Sequence, residues 1–179
     1  VMTVALEPED ESPIVFLRLR KAARTGRTRI VNIGAVATKG LAKVRGELVA
    51  ALPGAEAQAL STLPADVKSA LGQPGAVILV GERIASVVGG PSAVAALAAE
   101  TGASLAWVPR RAGERGALDA GALAGLLPGG RQLVDPTARE QVAAAWGIDA
   151  SELPTDVGLA GEQLLMAARE GRLAALITG

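Results

Sequence analysis

Four short, mostly apolar runs punctuate the chain at residues 1–6, 29–33, 76–80 and 104–108, and each stops at or just before a glycine or proline. Apolar residues that do not alternate with polar ones mark strands buried on both faces, as in a parallel sheet. Helical periodicity between the runs then makes β-α-β units, whose crossovers are right-handed. This pattern predicts an α/β chain of doubly wound units with a mostly parallel sheet.

The first unit begins with a strand over 1–6, which Pro8 stops. Ser12 and Pro13 then read as N-cap and first residue of a helix. Val15, Phe16, Leu19, Ala22 and Ala23 fall on one helical face, and Arg18, Arg20, Lys21 and Arg24 on the other. Gly26 ends this helix. Residues 34–72 are less regular, with a helix expected near 41–51, interrupted at Gly46, and another from about 55 to 60. The Gln73-Pro74-Gly75 turn suggests a boundary, giving units 1–72 and 73–179. In the second unit a helix opens at Pro91-Ser92 and stops at Gly102. A Gly-rich loop with short helical turns fills 110–130. Asp135-Pro136 caps a helix to Trp146, with Ala138, Val142, Ala145 and Trp146 on its inner face. A further helix over 161–170 and a strand over 173–179 complete the reading. A bare strand at each end is the pattern of a piece of a longer α/β protein, incomplete before residue 1 and leading into a further segment after 179.

The absences bound the chemistry. There is no cysteine, histidine or tyrosine, and only Phe16, Trp107 and Trp146 are aromatic. A chain without cysteine offers no thiolate nucleophile and no ligand to an iron–sulfur cluster. Without histidine it has no Ser-His dyad and a poor ligand set for zinc. The core must be built of Ala, Val, Leu and Ile, with both tryptophans as core or interface anchors. No apolar run approaches the roughly 18 residues of a membrane span. Formal net charge is zero, so no global field draws nucleic acid or an anionic membrane.

Local charge is uneven. Glu7, Glu9, Asp10 and Glu11 cluster ahead of the first helix, and no acid then appears until Glu47, while Arg18 to Arg45 supply nine bases. Acids before a helix and bases along its end suit the macrodipole, so a solvated basic face explains the pattern. An acidic partner or ligand for that face is the sharper, second reading. The four acids match no calcium-loop spacing. Gly34 to Gly40 lacks the Gly-Lys-Ser/Thr end of a phosphate loop, and no G-x-G-x-x-G follows a strand. Arg110, Arg111 and Arg115 lie on the loop after the Trp107 strand, where guanidinium forks can contact an anion or a partner.

Several segments, in order, resemble one family. They are the strand leading to Glu7-Pro8-Glu9-Asp10-Glu11-Ser12-Pro13 and the Phe16-Leu17-Arg18-Leu19-Arg20 helix; the turn Leu52-Pro53-Gly54-Ala55-Glu56; the loop Trp107 to Gly121 with Gly116-Ala117-Leu118-Asp119-Ala120-Gly121; and the closing segment from Glu170. Together they resemble the molybdopterin-oxidoreductase-like region of the large iron–sulfur subunit (the G subunit) of bacterial NADH-quinone oxidoreductase, respiratory complex I. The resemblance implies Rossmann-like units and a parent that passes electrons from NADH through 4Fe-4S and 2Fe-2S clusters toward quinone. It also implies peripheral-arm subunits as partners, at the cytoplasmic side of the inner membrane without insertion into it.

The family's molybdoenzymes carry Asp-Pro-Arg after the second strand, where this chain has Asn32-Ile33-Gly34-Ala35, and no molybdenum ligand can be assigned. The resemblance therefore implies a scaffold that has lost or never used its metal, with no catalytic residue or metal site of its own. Retention of molybdopterin stays open at this point, and Glu7, Glu11 and Ser12, on the first loop, are the candidates to line such a cofactor cleft. A rival reading takes residues 75–81 and the Ser92 helix as similar to the middle domain of thiamine-diphosphate enzymes, a ligand-binding α/β domain; the Gly-rich 113–130 stretch argues against it. A third takes the Arg110–Arg115 loop as a docking module.

Overall fold

The computed structural model describes residues 1–177. It divides into two compact units, Val1–Arg110 and Arg111–Gly179, and the expected junction at 72–73 falls inside the first. That unit runs β1 (Met2–Val4), α1 (Pro8–Glu11), α2 (Pro13–Arg24), β2 (Val31–Gly34), α3 (Lys39–Lys43), β3 (Glu47–Ala50), α4 (Glu56–Ser61), α5 (Ala65–Leu71), β4 (Val77–Gly81), a 3₁₀ turn at Glu82–Ser86, α6 (Gly90–Thr101) and β5 (Ser104–Val108). The five strands form one sheet in the order β3-β2-β1-β4-β5, parallel throughout. Strand order reverses at β1, which pairs with β2 on one side and β4 on the other. The fold is Rossmann-like α/β, as the apolar runs predict.

Alternation along the strands sorts the core into two layers. Met2, Val4, Val31, Ile33, Ile78 and Val80 pack with Leu60, Val67, Leu71, Val94 and Leu97 of α4 to α6. On the other face Phe16, Leu19 and Ala23 of α2 pack with Ile30, Leu41 and Val44, and Leu48 and Leu79 lie partly buried beneath them. Thr3 and Asn32 are the buried polar residues among those described, and the Thr3 hydroxyl donates to Asn32 Oδ1 at 2.8 Å. The bond gives the buried hydroxyl an acceptor and the Asn32 carbonyl oxygen a donor, which is how a polar pair is accommodated in such a layer.

Several expectations need correction. Pro8 does not simply stop a strand; it opens α1, with Glu7 as its N-cap. Ser12 precedes α2 but makes no side-chain cap bond. The helix expected over 41–51 is only α3, because the chain turns at Arg45 and Gly46 and residues 47–50 become the edge strand β3. A Cβ on Gly46 would lie 2.3 Å from Leu41 Cδ1, so the glycine permits a turn too tight for continued helix. Helix α5 falls in a stretch where the residue pattern signals no helix. Trp107 is 47% exposed on β5, which removes the core half of the expectation and leaves the interface half.

The second unit holds α7 (Glu114–Asp119), a two-residue ribbon of β6 (Leu126–Leu127) and antiparallel β7 (Arg131–Gln132), α8 (Pro136–Trp146) and α9 (Glu162–Arg169). Its core is Leu127, Leu133, Ala138, Val142, Ala143 and Leu153. Asp135 caps α8 through Thr137 N and Gly147 closes it, as expected. Trp146, however, is 56% exposed, and Ala143 takes the inner place expected of Ala145. Residues 173–177 form no strand; the remainder of that expected strand, 178–179, lies outside the described residues.

Candidate functional site

In an open α/β sheet, ligands sit outside the carboxyl ends of the strands where the strand order reverses. Here that point lies between β1 and β4, and the chain itself closes it. Ala5, just after β1, adopts a left-handed conformation with φ 49°, costly for a residue with a Cβ. The Ala5 carbonyl oxygen thereby comes to 2.2 Å from where a Cβ on Gly81 would stand, and Leu6 Cα to 3.1 Å. Only glycine at the end of β4 allows this approach.

Above the closed crevice sits an ion network. Glu7 N–H donates to Glu11 Oε1 at 2.8 Å, bending the Glu11 side chain back over α1. The Glu11 side chain is 6% exposed, and Arg83 Nη1 lies 2.5 Å from its Oε1. Arg110 Nε stands 3.8 Å from Oε2, while Arg110 Nη1 is 3.2 Å from Glu82 Oε1. Glu11 Oε2 is buried without a hydrogen-bond partner, so Arg110 reaches it by charge and not by a hydrogen bond. Loops that follow β1, β4 and β5 are thus tied through one buried carboxylate.

Beside the network a cleft of about 330 Å³ opens between the segments that follow β1, β2, β3 and β4. Most polar groups that line it already have tasks within the chain, the side-chain amide nitrogen of Asn32 being an exception. Asn32 accepts from Thr3. Thr38 accepts from Leu41 N at 3.0 Å and caps α3. Glu56 accepts from Gly54 N at 2.7 Å, the Ser86 hydroxyl donates to Arg83 O at 2.8 Å, and Arg83 holds Glu11. Among the described residues no base stands beside Ser86 to make it a nucleophile in the sense of a hydrolase. Gly40, part of the glycine-bearing stretch after β2, faces the acidic helix: its Cβ would lie 2.4 Å from Glu7 Oε1. That glycine serves the packing of α3 on α1, reinforced by the Lys43–Glu9 ion pair.

At the amino ends of the strands a second cleft, about 310 Å³, is lined by Arg27, Arg29, Gln73 and Pro74 among others. Arg29 makes a fork there, donating to Glu47 at 2.8 and 2.7 Å and to Asp66 at 2.7 Å. These bonds hold the Glu47 and Asp66 carboxyls below their ordinary pKa values and raise that of Arg29.

Of the residues singled out in the sequence, the structure brings Glu7, Glu11 and Arg110 together at the carboxyl edge. Ser12 is nearby in the chain but bonds only through its backbone, donating to Pro8 O and accepting from Phe16 N. Arg111 and Arg115 belong to the second unit, where both are exposed and Arg115 pairs with Asp119 at 3.0 Å. Sequence reasoning missed Gly81 and Arg83. The available signal was the placement of Gly81-Glu82-Arg83 directly after an apolar strand. Among the described residues no group of three or more carboxylates or other ligating side chains is arranged to hold a metal ion, and no helix is long and apolar enough to cross a membrane.

A scan against protein-family profiles found no match. Among curated proteins, the chain is 58% identical over 180 residues to the NADH-quinone oxidoreductase G subunit of Mycobacterium bovis, covering 100% of this chain and 22% of that protein. It is 47% identical over 186 residues to the G subunit of Streptomyces coelicolor, covering 99% of this chain and 22% of the relative. A nitrate reductase of Symbiobacterium thermophilum is 39% identical over 59 residues, 33% of this chain and 8% of that protein. The chain thus spans about a fifth of the length of the NADH-quinone oxidoreductase relatives it matches. Along its whole length it belongs with the corresponding segment of the NADH-quinone oxidoreductase G-subunit family.

Proposed function

We propose that this chain is a structural segment of an NADH-quinone oxidoreductase subunit and contributes no catalytic residue of its own. The parent enzyme takes electrons from NADH and delivers them to quinone. Its 4Fe-4S and 2Fe-2S clusters are held by cysteines outside this chain. The parent sits peripherally at the cytoplasmic side of the inner membrane, against other subunits of the peripheral arm. The similarity to the G subunit along the full chain supports the parentage.

The observation that carries the scaffold reading is the state of the carboxyl edge. Ala5 and Gly81 are pressed together where a ligand's phosphates would enter, and Glu11 and Glu82 balance the charges of Arg83 and Arg110. A molybdopterin does not fit these residues: the one cation that lines the cleft, Arg83, is committed to the buried Glu11 carboxylate and leaves none for the cofactor's phosphate. The same edge disfavours the thiamine-diphosphate-type reading.

Two measurements on the purified protein test this. Metal analysis with pterin fluorescence is expected to find neither molybdenum nor pterin in stoichiometric amount. Calorimetric titration with nucleotides and thiamine diphosphate is expected to give no saturable heat. One molybdenum or pterin per chain would replace the scaffold reading with a cofactor site, and saturable nucleotide binding would favour the ligand-binding alternative.

A further inference from the structure

Helix α2 carries its inward face on Phe16, Leu19 and Ala23. Its outward stripe, at helical spacing, is Ile14, Leu17, Lys21 and Arg24, flanked by Arg18 and Arg20. Ile14 is 67% and Leu17 55% exposed, and the four bases are exposed as well. None of these bases has an ion-pair partner among the described residues, although acids elsewhere in the unit pair with Arg29, Lys43, Lys68, Arg83 and Arg110. Leu17, Arg20, Lys21, Arg24 and Thr25 line one shallow surface hollow.

The macrodipole explains bases in the last turn. It does not explain Arg18, nor two large aliphatic side chains left in water. Like charges three and four residues apart, as in Arg20 with Arg24 and Lys21 with Arg24, repel along the helix. No acid lies between Glu11 and Glu47 to relieve them. We infer that the outward face of α2 docks an acidic protein surface, with Ile14 and Leu17 entering an apolar patch and the guanidinium groups meeting carboxylates around it.

The chemistry favours a protein over the alternatives. Arginine is the basic residue enriched at protein interfaces, where its planar fork meets carboxylates in pairs, and an apolar centre with a charged rim is interface anatomy. An interfacial membrane helix instead lays its broad apolar face in lipid, and here that face is occupied by the sheet. A chain of zero net charge has no general attraction for nucleic acid. The face itself stands on charge and exposure alone; only the expectation that the partner is a fellow subunit rests on the proposed function.

The test places a photo-crosslinking amino acid at position 17 of the full-length protein in its native assembly. The crosslink is expected at a single protein segment flanked by Asp and Glu. An Arg20→Glu, Arg24→Glu double variant is expected to cut its yield on the order of tenfold, in keeping with loss of complementary charge. Arg20→Lys, Arg24→Lys should keep most of it. The thermal unfolding temperature of the variants, expected to fall only slightly because these side chains are exposed and an acid at position 24 opposes the helix dipole, separates docking from folding. Crosslinks to lipid alone, to scattered proteins, or to none would overturn the surface while leaving the enzyme assignment standing. A crosslink to an acidic protein outside the oxidoreductase would uphold the surface and refute that assignment.

Discussion

The two edges of the parallel sheet are both tied by arginine and carboxylate, in opposite ways. At the carboxyl edge a buried acid, Glu11, is approached by half-exposed Arg83 and Arg110, and one of its oxygens lacks a hydrogen bond. At the amino edge Arg29 is the centre, and its partners Glu47 and Asp66 stand mostly in water with well-formed bonds. A buried charge is costly to leave alone, whereas an exposed pair contributes little. The carboxyl edge is therefore where this chain concentrates its risk, and it is also the edge where related architectures keep their ligands.

Gly81→Ala should be the largest perturbation. Its Cβ would strike the Ala5 carbonyl, and backbone must move, so a loss of about 3 kcal/mol or more in denaturant unfolding is expected. Gly75, at the amino end of β4, has the positive φ that Gly81 lacks but nothing within 4 Å of a Cβ. Gly75→Ala should cost only about 1–2 kcal/mol, the conformational penalty alone. Equal costs at the two glycines would break the comparison.

Arg83→Ala comes next, at about 3 kcal/mol, because it strips Glu11 of its hydrogen-bonded charge partner. Adding Glu11→Leu to it should restore part of the stability, since both the buried charge and its missing partner are then gone. No recovery in chemical denaturation would mean that the network is not what sets the cost. Arg29→Ala should cost about 1 kcal/mol or less, and less still in high salt.

The smallest expected effect is a pH dependence of the amino edge. Arg29 lowers the folded-state pKa values of Glu47 and Asp66. Unfolded, they protonate near pH 4. Their contribution is thus present above that pH and is lost as pH falls through their lower folded values. Melting temperatures of the unmodified chain and Arg29→Ala should converge in acid and separate at neutral pH. A gap that persists undiminished into acid would show that Arg29 acts through packing.

The sequence made the sheet legible because buried parallel strands are written as apolar runs. It also made α2, α6 and α8 legible, through their proline starts and glycine ends. It hid β3, whose Glu47 to Ala50 is too short and too exposed to show a run. It misled at Trp146, whose helical position suits a core but whose residue is 56% exposed. Glu11 and Arg110 were visible as charged residues near strand ends, but their union was not. Glu11 and Arg83 are 72 residues apart, and only the return of β4 beside β1 brings them into contact.

The central claim is that the carboxyl edge serves structure and not chemistry. Glu11→Gln in the assembled oxidoreductase tests it in one experiment, with thermal stability and NADH-to-quinone turnover per assembled complex read on the same preparation. A structural role predicts a lowered melting temperature with turnover per assembled complex unchanged. An unchanged melting temperature with turnover lost would contradict it.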